Sequence, residues 1–76
     1  MNKIRRKSLQ EIADKLAELK EELEALQSEE EDYRDNMPEN FQGSERYERA
    51  DAACDSLSEA ADSLDSAISS IEEAIE

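Results

Sequence analysis

Residues 47–75, "YERADAACDSLSEAADSLDSAISSIEEAI", decide the fold. Tyr47, Ala50, Cys54, Leu57, Ala61, Leu64, Ile68, Ile71 and Ile75 follow one another at alternating steps of three and four residues without a miss, the repeat of one helical face. Beside that seam runs a second row, Ala53, Ala60, Ala67 and Ala74, one residue per heptad. Three apolar positions in seven is the width of a bundle face rather than of a bare two-stranded seam. Serine and aspartate, which fill much of the rest, are only fair helix formers, so this helix depends on packing more than on its own propensity.

Working back towards the N-terminus, Leu9, Ile12, Leu16, Leu19, Leu23 and Leu26 show the same alternation, and after Glu30 interrupts it Tyr33 and Met37 resume it. This segment is rich in good helix formers, and pairs such as Glu11 with Lys15 support it at i, i+4. The first helix is predicted over about residues 3–36. Pro38 stops it, because the residue before a proline is pushed out of the α region. Ser44 is a predicted N-cap for the second helix, over about 44–75, which leaves a turn at about 37–43.

Two helices of roughly 30 residues, each about 45–50 Å long, joined by a short loop, imply an antiparallel hairpin. The expected fold class is therefore all-α, a single helical-hairpin domain over 1–76. A face this wide exceeds what one partner helix covers, and a chain this short is marginal alone, so a homodimeric four-helix bundle with antiparallel hairpins is the expected assembly. Its expected core is the two seams: Leu9, Ile12, Leu16, Leu19, Leu23 and Leu26 against Ala50, Cys54, Leu57, Ala61, Leu64, Ile68, Ile71 and Ile75.

Charge and composition narrow the function classes. Twenty-two acidic residues against nine basic ones give a net charge of −13, which opposes binding to nucleic acid or to anionic membrane. No apolar run has the length of a membrane span, and "MNKIRRKSLQEIADKL" lacks the apolar stretch of a signal peptide. Cys54 is the only cysteine, so no internal disulfide can form, and the expected location is the cytoplasm. In the seam it behaves as a small hydrophobe, with nothing nearby in sequence to activate the thiol. There is no histidine, no phosphate-binding glycine pattern and no glycine-hinged calcium loop, so neither an enzyme nor a cofactor is expected.

Two basic clusters stand out against this acidity. Lys3, Arg5, Arg6 and Lys7 crowd the start of the first helix, where they oppose its dipole but adjoin the acidic "IEEAIE" end of the second. Arg34, Arg46 and Arg49 flank the turn together with Tyr33 and Tyr47. In an antiparallel dimer the first cluster approaches the second across subunits, a combination of arginine forks and aromatic faces that suits a nucleotide or another phosphorylated ligand. The alternative is structural: Tyr33, Met37, Phe41 and Tyr47 cap the open end of the bundle, Pro38 and Gly43 set the backbone, and the N-terminal cluster neutralises the adjoining acidic end.

The basic start, "YRDNMPENFQGSERYERA" and the tail "LDSAISSIEEAIE" together resemble short acidic helical proteins encoded by tailed phages and prophages of Gram-positive bacteria. "DNMPEN" followed by "SERYE" is the most specific part, and the serine-rich second helix departs from the group's pattern. The resemblance implies a small accessory protein of a mobile element and carries over no functional residue. Three readings follow: an interaction protein that inhibits a host protein such as a defence component, by nucleic-acid mimicry in one variant; a nucleotide-sequestering homo-oligomer; or an assembly protein of a larger particle.

Overall fold

The computed structural model describes residues 1–76 as two long helices, α1 (Lys3–Asp35) and α2 (Glu45–Ile75), separated by a short 3-10 turn at Glu39–Phe41. They pack side by side and antiparallel into a rod of 59 × 15 × 13 Å. Asn2 caps α1, its Oδ1 accepting from the Arg5 N–H at 2.7 Å, a cap the sequence reading did not single out. Ser44 caps α2 as expected: its Oγ accepts from the Tyr47 N–H at 3.3 Å, and its hydroxyl donates to the Phe41 carbonyl.

α1 ends at Asp35 with Asn36 as its C-cap, and Pro38 in extended geometry opens the 3-10 turn. Gly43 does not set the backbone. No residue has positive φ, and a Cβ placed on Gly43 meets nothing within 4 Å, so any small residue fits there.

Two cross-helix ion pairs establish the register. Lys20 reaches Asp65 at 2.8 Å, and two heptads further along α1, Arg34 reaches Asp51 at 3.0 Å, two heptads back along α2. The helices therefore run past each other without a slip. In that register Leu9 lies level with Ile75, Ala13 with Ile71, Leu16 with Ile68, Lys20 with Leu64, Leu23 with Ala61, Gln27 with Leu57, and Glu30 with Cys54.

The seam of α2 lies where it was expected, since every one of its nine positions is buried or half-buried. Within the single hairpin the seam of α1 divides. Ala13, Lys20, Gln27 and Arg34 face inward together with Leu9, Leu16, Leu23 and Glu30, whereas Ile12, Leu19 and Leu26, expected in the core, are 47 %, 54 % and 59 % exposed.

The physical reason is that each helix of a two-helix pair can point only one narrow line at its partner. α1 carries a wider apolar face than that line. It turns the alanine and the long amphipathic side chains inward, where their stems pack and their heads reach Asp65, Glu31 and Asp51. The interior is thin as a result: only Ala13, Met37, Ala50, Cys54 and Ala61 are buried, and no leucine or isoleucine is.

Glu30 is the seam position with the wrong chemistry, half-buried and level with Cys54. Glu30→Leu is expected to raise stability by about 1 kcal/mol, the worth of partly burying a leucine side chain, read as a higher urea midpoint at fixed protein concentration.

Candidate functional site

The aromatic and basic residues near the turn come together at one end of the rod. α1 presents Glu30 and Tyr33, and the first turns of α2 present Glu45, Arg46, Arg49 and Ala50, around an open cleft of about 380 Å³. A second hollow of about 280 Å³ adjoins it, lined by Tyr33, Asn36, Met37, Pro38, Phe41 and Arg46. Tyr33 and Arg46 belong to both. They face each other because the Ser44 cap and the 3-10 turn fix where α2 starts relative to the end of α1.

The expected end cap divides in two. Met37 is buried and Tyr47 half-buried, so these two close the end, while Tyr33 and Phe41 remain 49 % and 48 % exposed.

The arginines differ in what they hold. Arg34 is not a free contact: its Nε donates to Asp35 at 2.9 Å and its Nη1 to Asp51 at 3.0 Å, and these carboxylates, Asp35 first, keep the guanidinium above its ordinary range. It works as a half-buried staple between the helices. Lys20, whose ammonium the Asp65 hydrogen bond also holds above its ordinary value, does the same further along. Arg49 pairs with Glu45 on its own helix. Arg46 forms no ion pair, and it is the one arginine of the cleft with its charge unmatched.

Lys3, Arg5, Arg6 and Lys7 lie at the opposite end of the 59 Å rod, all exposed. They make no ion pair with Glu72, Glu73 or Glu76, so the neutralisation expected between the adjoining helix ends is not made by direct contacts. The two basic clusters cannot meet within one chain.

The two long faces of the rod differ in chemistry. Both interhelical ion pairs lean to one side of the seam, where the register sets Asp14, Glu21, Glu24, Glu31 and Asp35 of α1 beside Glu48, Asp51, Asp55, Asp62, Asp65 and Glu72 of α2. The opposite side, continuous with the cleft, holds Ile12, Leu19, Leu26 and Tyr33 of α1, one per heptad, with Lys15, Glu22 and Glu29 along its edge. α2 contributes only Ala53, Ser56, Ala60, Ser63, Ala67, Ser70 and Ala74 to that side beyond Arg49. The Ile12–Leu19–Leu26–Tyr33 row and the Ala53–Ala60–Ala67–Ala74 row run antiparallel along this side.

The exposed stripe has a signature in the sequence. Ile12, Leu19, Leu26 and Tyr33 recur every seven residues, and the line beside them, Ala13, Lys20, Gln27 and Arg34, consists of residues able to serve as its inward-facing alternative.

The chain matches no protein-family model, no curated protein and no solved structure. No group of three histidine, cysteine or acidic side chains is placed to hold a metal ion, and no helix is long and apolar enough to cross a membrane. What the arrangement offers chemically is an acidic face, an apolar face and a mixed-charge cleft at one end.

Cys54 is buried in the seam, and that burial pushes its thiol above its ordinary value near 9; Arg34 pulls it down, while Glu31, Glu30 and Asp51 push it up. A thiol raised in the folded state contributes stability in full below the unfolded value and loses it as pH rises past the folded one. Relative to Cys54→Ala, the wild-type chain is expected to lose unfolding midpoint as pH rises from 8 past the ordinary thiol value near 9, and its thiol is expected to react with a disulfide reagent at pH 8 only on unfolding.

Proposed function

We propose that the chain is a non-catalytic interaction protein, a homodimeric four-helix bundle that binds a basic groove on a host protein through its acidic faces and inhibits it. A phage or prophage origin, with a defence component as target, is the setting that the sequence resemblance suggests. The single observation that supports this reading is the segregation of charge: carboxylates recur along one whole side of a 59 Å rod, on average about 7 Å apart on α2, and are scarce on the other.

A straight acidic rod attracts the basic channels that receive nucleic acid, by the electrostatics that draw duplexes into them. The resemblance to a duplex is one of sign and shape more than of spacing. A duplex carries one charge per about 1.7 Å of axis, and two helical rows of carboxylates are sparser than that.

The expected behaviour follows from the same electrostatics. On affinity capture from a Gram-positive bacterial lysate, a basic protein retained by the wild-type chain at low salt should be released by salt and should fail to bind Asp55→Lys/Asp62→Lys. Both positions are exposed and off the seam, so helicity by circular dichroism should be kept. Retention that ignores salt and both substitutions would refute the electrostatic reading.

A second reading rests on Arg46, a cation without an ion-pair partner beside the exposed ring of Tyr33. Those two groups suit a base stacked on the tyrosine with its phosphate on the arginine. Glu30 and Glu45 in the same cleft repel phosphate, and for that reason the first reading stands ahead. On the second, a nucleoside monophosphate in equilibrium dialysis binds the wild-type chain and is lost with Arg46→Ala while the oligomer persists; no binding to the wild type removes it.

A further inference from the structure

The acidic rod leaves its other face without a partner, and three observations say what covers it. The first is apolar surface: Ile12, Leu19 and Leu26 point out of the hairpin in a straight line about half-exposed, continuous with Tyr33. An unbroken apolar stripe of this kind, rimmed by polar residues, marks an interaction surface.

The second is area. The chain exposes 5758 Å² at a mass of 8.6 kDa, whereas a compact monomer of that mass exposes about 4,700 Å². The excess, about 1,000 Å², is on the scale of the ~800 Å² that each partner buries in a standard interface.

The third is charge. Two copies of a chain carrying −13 repel each other wherever carboxylates meet, which excludes the acidic side as a contact between them. On the stripe side α2 offers only alanine and serine beyond Arg49, which pairs with Glu45, and Glu22 and Glu29 of α1 are offset there by Lys15 and Arg46.

From these we infer that the occupant of this face is a second copy of the same chain. Two hairpins meet through the Ile12–Leu19–Leu26–Tyr33 stripe and the Ala53–Ala60–Ala67–Ala74 row, with both acidic faces outward. This rests on the homodimeric reading above and adds which surface makes the dimer. The small row lets a neighbouring helix come close, the large row supplies the apolar area, and the result encloses a core that one hairpin lacks.

The inference has a structural corollary. The turn-end cleft opens on the same side as the stripe, so the second copy borders Tyr33 and Arg46 while leaving the acidic carboxylates to solvent.

The test is the mass of the assembly by sedimentation velocity or native mass spectrometry at tens of micromolar protein, with circular dichroism alongside. The wild-type chain should have twice the chain mass of 8.6 kDa. Leu19→Glu/Leu26→Glu, and independently Ala60→Glu on the other helix, should weaken dimerisation by at least a hundredfold. All three residues are exposed in the hairpin, so helical signal at concentrations where the wild type is still dimeric should survive better than the assembly does. Glu24→Gln/Asp55→Asn on the acidic face should leave the dimer intact.

A wild-type dimer that persists in both stripe variants overturns this assignment of the face and leaves the homodimer standing. A wild-type chain that sediments as a folded monomer overturns both. An assembly of more than two chains overturns the single-face pairing.

Discussion

Two parallel cylinders touch along one line, and everything in this protein follows from that limit. Each helix can give its partner in the hairpin only a narrow strip of side chains, yet both carry more apolar surface than a strip can use. α2 fills its strip with an unbroken apolar seam. α1 fills its own with Leu9, Ala13, Leu16 and Leu23, and then with Lys20, Gln27, Glu30 and Arg34. The remaining leucines have nowhere to go within one chain.

The amphipathic residues in the α1 strip are not simply defects. Lys20 and Arg34 lay their stems against the seam and carry their charges across to Asp65 and Asp51. Pairs so open to solvent add little to stability, but they choose a register, and a hairpin whose heptads nearly repeat needs something to choose one. Shifted by a heptad, the apolar seams would still match. The two cations would face different side chains, and the ion pairs to Asp65 and Asp51 would be gone. They also pull the acidic residues of both helices to the same side of the rod, so that the device that sets register also separates an acidic face from an apolar one.

The turn belongs to the same logic. Met37 and Tyr47 finish the seam where the helices separate, while Tyr33 and Phe41 extend the outer stripe to its end. Ser44, capping α2 and holding the Phe41 carbonyl, is what brings Arg46 opposite Tyr33. Gly43, the residue that invites a conformational explanation, requires none.

By itself the sequence determined the elements. Alternating apolar steps made both helices legible almost to the residue, Pro38 and Ser44 marked their ends, and two equal helices with a short connection can only double back. The exact seam of α2 was legible too, because its apolar residues leave one choice. What only the tertiary structure decided is which line of α1 faces inward. Leu9, Leu16 and Leu23 are compatible with a seam completed either by Ile12, Leu19 and Leu26 or by Ala13, Lys20 and Gln27. Hydrophobicity favours the first set, but the packed pair turns the second inward, where Lys20 and Arg34 meet Asp65 and Asp51 across the interface. That meeting is a property of the packed pair and not of either helix, so the exposed stripe, the acidic face and the cleft they border became visible only with both helices in place.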